Sequence, residues 1–261
     1  MRVGIFKTAD EASKEGANII VDFFSRKPAS TLGLATGSTP LKLYAHLRDA
    51  HARGEFSLHN SLAFALDEYV GMDLDHPQLY RNVLKQELVG DDKTGLTNEN
   101  LHTPNVSHPD PDVAAINFEA AIKASGGVDL QILGIGADGH IGFNEPGGSL
   151  NSQTHHEVLA SQTLADNSRF FEADSDQVPK TCITQGLKTI MSAKNLLLLA
   201  FGESKREAVS QLVEGPVSAK WPSTVLQLHP SAIVLVDEAA AADLELAELY
   251  TTRWQMLKHI D

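Results

Sequence analysis

The chain has 261 residues, 42% of them hydrophobic, with 19 Gly, 11 Pro and one cysteine. A chain of that length buries enough surface to fold without a disulfide or a structural metal, and lone Cys182 admits no internal disulfide, which points to a reducing compartment. With 21 Lys+Arg against 34 Asp+Glu the formal net charge is −13, a field that repels nucleic acid and anionic membrane surfaces.

No apolar run approaches the ~20 residues of a membrane span. The N-terminal MRVGIFKTADEASKEG carries acidic residues where a secretion signal needs an apolar core. A cytoplasmic protein with neither nucleic-acid nor membrane partners is expected. The same field repels phosphorylated ligands, so a site for one must supply its own positive potential.

Residues 2–6 read as a first strand. Thr8 and Glu11 form a T-x-x-E capping box, after which Ala12, Gly16, Ile19, Ile20 and Phe23 recur at helical spacing until Pro28. A strand over 31–35 runs into Thr36-Gly37-Ser38-Thr39-Pro40, with Pro40 at a first helical position. The helix continues through Leu41, Tyr44 and Leu47 to Gly54. Further strands are predicted over 62–66, 130–135, 195–201 and 232–236. Further helices are predicted over 78–88, 113–124, 178–191, 205–213 and 244–257. This alternation predicts an α/β fold around a mainly parallel sheet. No repeat, low-complexity segment or linker divides the chain, so a single domain over 1–261 is expected. The most polar stretch, 161–177, is a surface loop or a lid.

Three loops carry chemistry. The small residues of Thr36-Gly37-Ser38-Thr39-Pro40, ahead of a helix, let backbone N–H groups approach an anion, although an ordinary strand–helix turn carries the same residues. The loop lacks the G-x-x-x-x-G-K-[ST] spacing of a nucleoside-triphosphate site. Leu66-Asp67-Glu68-Tyr69 places two carboxylates at a strand end, where ligands of parallel sheets bind, although a strand-end acid that caps the next segment gives the same pattern and taken alone is the simpler reading. Neighbouring strand residues point to opposite faces, so the two acids should not share one role.

The third loop, Gly134-Ile135-Gly136-Ala137-Asp138-Gly139-His140-Ile141-Gly142-Phe143-Asn144-Glu145-Pro146, contains G-x-G-x-x-G after a strand. A dinucleotide site needs a helix opening at the last glycine, and Gly142, Pro146, Gly147 and Gly148 oppose one. We read a glycine-rich active loop in which Asp138 and Glu145 flank His140 and suit it to shuttling protons, against the plainer alternative of a solvated loop histidine. A metal site is the rival, but no second His lies nearby at a usual ligand spacing. Arg169 and Lys205 are candidates for the missing positive charge at a phosphate.

Taken together, LGLATGSTP, LDEYVG, GIGADGHIGFNEPG, NSRFF and QLHP resemble the glucosamine-6-phosphate deaminase family, in the same order and over most of the chain. The resemblance implies a modified Rossmann-like αβα sandwich around a central, mostly parallel sheet, with no metal and no organic cofactor. It implies aldose–ketose isomerisation and deamination of glucosamine 6-phosphate to fructose 6-phosphate and ammonia, in amino-sugar catabolism. By that resemblance Asp67 is the base acting between C2 and C1. His140 opens the sugar ring, with Asp138 and Glu145 as its supports. Gly37, Ser38, Thr39, Arg169 and Lys205 form the phosphate cradle, and Arg169 lies in a mobile lid over about 161–182.

Two departures stand out. The family commonly has Ser in an HPxSY motif where this chain has His76-Pro77-Gln78-Leu79-Tyr80, which bears on sugar preference. Members activated by N-acetylglucosamine 6-phosphate carry basic residues where this chain has His155 and Glu157, so little or no such activation is expected. Those members are hexamers, so the resemblance admits a homo-oligomer. Alternative readings are galactosamine 6-phosphate as substrate, a 6-phosphogluconolactonase-like hydrolase, and a sugar-phosphate-sensing regulatory domain, which normally carries a basic DNA-binding module that this acidic sequence does not resemble.

Overall fold

A computed structural model describes residues 1–257, so the end of the expected domain, 258–261, lies outside the described residues. β1 (Arg2–Phe6) leads into α1 (Ala9–Arg26). Thr8 Oγ1 accepts the N–H of Glu11 at 3.2 Å, as the capping box predicts, while the Glu11 carboxylate takes the N–H of Lys7 at 3.1 Å. β2 (Thr31–Leu34) is followed by α2 (Leu41–Ala52), whose first turn begins at Pro40 with φ −78° and ψ −9°. Pro40 needs no N–H there, and its carbonyl accepts from Tyr44 at 2.8 Å.

Then come β3 (Leu62–Ala65), β4 (Asp67–Tyr69), α3 (Tyr80–Leu88), β5 (Leu101–His102), α4 (Pro111–Ala124) and β6 (Leu130–Leu133). After a long irregular stretch follow β7 (His155–Val158), α5 (Ser161–Asn167), β8 (Thr181–Thr184), α6 (Leu187–Met191) and β9 (Asn195–Ala200). α7 (Arg206–Glu214), β10 (Ala232–Asp237) and α8 (Ala247–Met256) close the series.

Among the described residues, seven strands form one sheet in the order β1-β10-β9-β6-β2-β3-β5, parallel at every pairing. β2, β6 and β10 are buried along their whole length, as the mainly apolar inner strands of a parallel sheet flanked by helices must be. The expected α/β class and mostly parallel central sheet are what the fold shows. No described helix is long and apolar enough to cross a membrane.

Several predicted strands run one or two residues too long at their C-terminal ends, at Ala35, Leu66, Ile135 and Phe201. Ala35, Leu66 and Ile135 are still apolar and buried there and Phe201 is half-buried, but all four lie past the ends of their strands, where the chain turns towards the site.

The larger difference is a second sheet, antiparallel, in the order β4-β8-β7. Residues 178–191, predicted as one helix, are instead β8, a turn through Gly186 and the short α6. Cys182 and Ile183 are wholly buried between β4 and β7. Pairing on both edges outweighs local helical spacing, and β-branched Thr181, Ile183 and Thr184 suit a strand.

Candidate active site

From β2 the sheet extends outward through β3 and β5, and from adjacent β6 it extends the opposite way through β9, β10 and β1. The connections leaving the carboxyl ends of β2 and β6 therefore diverge, and a crevice opens between them, where ligands of open parallel sheets bind. A cavity of about 440 Å³ occupies it. Its walls include Gly37, Ser38, Thr39, Asp67, His140, Arg169 and Lys205, so residues remote in sequence meet there.

The loop after β2 is anchored by the Tyr44 hydroxyl, which donates to the Ala35 carbonyl at 2.6 Å. Gly37 has φ +91°, a backbone state that L side chains rarely adopt, and this turns the chain so that the loop faces the cavity.

Asp67 begins β4, with its side chain on the cavity wall and only 5% of the residue exposed. Burial, and secondarily the neighbouring Glu68 charge, pushes its pKa well above the usual carboxylate range. The Glu68 carboxylate points elsewhere and accepts the N–H groups of Tyr69, Tyr80 and Arg81 at 3.0, 2.9 and 2.7 Å. The two neighbouring acids thus do different work, as the strand period requires. Glu68 satisfies the start of α3, and burial still raises its pKa to about 7 against those three donors. Leu79, at the N-cap of α3, offers no capping bond and is buried. The polar role that a Ser might fill there is already taken by Glu68.

After β6 no helix opens within residues 134–154, which removes the dinucleotide reading. Gly136 is required by close approach, since a Cβ there would lie 2.4 Å from the His140 ring and 2.6 Å from Asp138 Oδ1. His140 Nδ1 lies 2.7 Å from Asp138 Oδ1 and 3.8 Å from Glu145 Oε2. Nδ1 and Oε2 are both buried without an aligned hydrogen bond, so the cluster is held by charge and proximity more than by one directed bond. Burial raises the Asp138 pKa, but the close His140 imidazole and the His140 backbone N–H, which donates to Asp138 Oδ1 at 3.2 Å, outweigh it and the net shift is downward. Asp138 and Glu145 sit behind the imidazole rather than on the cavity wall. One ligand atom from each of the three residues falls within 4.8 Å of the others, a spacing that a cation or a shared proton can use.

Two cations, Arg169 and Lys205, also line the cavity. Lys205 lies at the end of a turn (Glu203–Lys205) whose preceding Gly202 N–H is held by Asp237 at 3.0 and 3.1 Å. Burial lowers the Lys205 pKa and the nearby Arg169 charge adds to this, while Asp166 and Asp138 oppose it. The Arg169 guanidinium stacks 4.9 Å from the Phe170 ring centroid. The sequence reading did not single out Tyr80, Thr163 or Asp166, which also line the cavity. Tyr80 stood in a motif that was legible, whereas Thr163 and Asp166 lie in a polar stretch with no periodic signal.

A parallel sheet whose crevice brings an acid–base cluster and two cations to one cavity defines an α/β enzyme for a small anionic ligand. The family model described as glucosamine-6-phosphate isomerases/6-phosphogluconolactonase matches residues 6–235, and the chain belongs to that family. It is 51% identical over 250 residues to a glucosamine-6-phosphate deaminase of Beutenbergia cavernae, covering 96% of this chain and 95% of that one. It is 47% identical over 254 residues to one of Hahella chejuensis, covering 97% and 95%. The solved structure of a monomeric glucosamine-6-phosphate deaminase superposes with a TM-score of 0.89 at 38% identity, covering 93% of this chain and 99% of that one. A 6-phosphogluconolactonase from Trypanosoma cruzi shares the fold, with a TM-score of 0.74 at 20% identity, covering 94% and 97%.

Proposed function

We propose that this cavity converts glucosamine 6-phosphate and water into fructose 6-phosphate and ammonia. The observation that carries the reading is the placement of His140 and buried Asp67 on one cavity wall system with Arg169 and Lys205. A sugar phosphate held by its phosphate among Lys205, Arg169 and the N–H groups of Gly37, Ser38 and Thr39 presents its ring to the acid–base end.

His140 takes the proton of the anomeric hydroxyl and delivers one to the ring oxygen, which opens the ring. Asp138 and Glu145 balance the imidazolium between the two transfers. Asp67 then removes the proton on C2, next to the new C1 carbonyl, while the substrate's C2 ammonium passes a proton to O1, giving an enolamine. It returns a proton to C1, leaving an imine at C2 that water hydrolyses with release of ammonia. A carboxylate raised by burial is a stronger base than one in water, and the buried position keeps solvent from intercepting the enolamine.

Free, buried Cys182 supports a reducing compartment, and we infer a cytoplasmic enzyme acting in amino-sugar catabolism. The small cavity of about 200 Å³ beside Glu145 is lined by His155 and Glu157, whose side chains pair at 3.2 Å. A phosphate there meets the Glu157 carboxylate, which supports the absence of activation by N-acetylglucosamine 6-phosphate.

The test is product formation from glucosamine 6-phosphate with EDTA present, with galactosamine 6-phosphate in parallel. Equimolar ammonia and fructose 6-phosphate from the glucosamine substrate alone support the reaction, its epimer preference and its metal independence. No product from folded protein that binds the sugar phosphate refutes the reading.

A further inference from the structure

We propose that Thr163 is a positioning residue that sets Glu145 behind His140 and so ties the phosphate-side helix α5 to ring opening. The proposal rests on the deaminase reading above and concerns a residue that reading does not use. Thr163 is 2% exposed, lines the main cavity, and donates its hydroxyl to Glu145 Oε1 at 2.7 Å. The N–H of Ala160, at the N-cap of α5, donates to the same oxygen at 3.1 Å.

The other carboxylate oxygen, Oε2, is left buried without a hydrogen-bond partner, 3.8 Å from His140 Nδ1. One oxygen is therefore committed to α5 and the other is reserved for the imidazole. A carboxylate held by two donors on one side has little freedom to swing away from the ring on the other. The charged and titratable groups around it include His140 and Asp138 on its own loop, His155 and Glu157 across the small cavity, and Cys182 on β8.

The same helix grips the site at its far end. Asn167, one helical turn beyond Thr163, donates from Nδ2 to the Tyr69 hydroxyl at 2.9 Å, and Arg169 follows two residues later. Anything that fixes Arg169, such as a substrate phosphate, also fixes the segment that holds Glu145. Binding energy at the phosphate is then expressed in orientation at the anomeric centre, where it raises turnover.

The experiment compares Thr163→Val, which keeps the shape and removes the donor, with Thr163→Ser, which keeps the donor. Ala160→Pro, which removes only the second donor at a φ of −64° that proline adopts, is an independent variant should the valine variant fold poorly. Each is assayed with glucosamine 6-phosphate, alone or in a Glu145→Ala background where the acceptor is gone. For Thr163→Val we expect kcat to fall roughly tenfold to a hundredfold with KM changed by less than about threefold. Thr163→Ser restores most of the rate, Ala160→Pro shows a smaller loss of the same kind, and Thr163→Val adds nothing in the Glu145→Ala background. Wild-type kcat in folded Thr163→Val, or losses that multiply with Glu145→Ala, overturns the proposal. The wild-type rate in the same assay tests the reaction itself, so the two questions are answered by different numbers.

Discussion

Asp67 and Thr184 face each other in register across the β4–β8 ladder, and the Thr184 hydroxyl accepts the backbone N–H of Phe143 at 3.0 Å. The strand that carries the proposed base and the loop that carries His140 are thus fastened to one residue. That loop is fixed again by Asn144, whose Nδ2 donates to the carbonyls of Ile141 and Gln185, both at 2.9 Å. The small second sheet is a frame that fixes the proposed base, the imidazole and α5 relative to one another.

Asp67→Asn removes proton transfer at C2 and should lower kcat by at least about 10²-fold. It should also stabilise the fold. Burial raises the Asp67 pKa, so the native state holds this proton to higher pH than the unfolded chain does. Wild-type stability therefore declines as pH rises above the ordinary carboxylate range near ~4, and the asparagine variant lacks that contribution. Melting curves at pH 5 and pH 8 should show the variant's advantage growing with pH. An advantage that shrinks instead would contradict the sign.

His140→Gln should slow turnover of cyclic substrate by about 10²-fold or more, because no neighbouring group replaces the proton shuttle. Comparing rates on the freshly dissolved cyclic sugar is the relevant assay. An unchanged rate there removes His140 from ring opening.

Lys205→Ala should raise KM by roughly tenfold to a hundredfold, the effect of losing a charge-assisted bond worth about 1.5–3 kcal/mol. The change in kcat should be smaller. If KM stays at the wild-type value, Lys205 does not hold the phosphate.

Leu79→Ser should destabilise the chain by about 2–5 kcal/mol, as deletion of a buried leucine does, offset by only about 1 kcal/mol from a better N-cap. The discrimination between glucosamine and galactosamine 6-phosphate should not move, because Leu79 is absent from the cavity wall. Denaturant titration and parallel assays of the two sugars check both halves, and a switched preference would place Leu79 in specificity.

N-acetylglucosamine 6-phosphate should leave the saturation curve for glucosamine 6-phosphate unchanged. Glu157→Lys removes the carboxylate that faces the small cavity, and retention of the wild-type indifference in that variant is not required. A rise in wild-type turnover or apparent affinity with the effector would mean that the His155–Glu157 pair does not exclude a second phosphate.

The three chemical loops were readable because each is a contiguous run at the end of an apolar strand. Small residues, adjacent acids and a histidine between two carboxylates are local features. The separation of Asp67 from Glu68 also followed from the two-residue period of a strand, and the structure gives Glu68 the cap of α3. Thr163 was not readable. Its partner Glu145 is 18 residues away across a loop and a strand of the second sheet, and a threonine in a polar segment has many uses.

By itself the sequence determined the alternation of strands and helices, the mainly parallel sheet and the residues of the acid–base cluster. Those properties depend on side-chain periodicity and on chemistry within a few consecutive positions. Only the tertiary structure decided that β2 and β6 lie side by side, that β4, β7 and β8 form a second sheet, and that Asp67 is buried, which raises its pKa. Pairing between short strands rests on hydrogen bonds to distant backbone, and a carboxylate's basicity rests on the solvent its neighbours exclude. Neither is written in the spacing of residues along the chain.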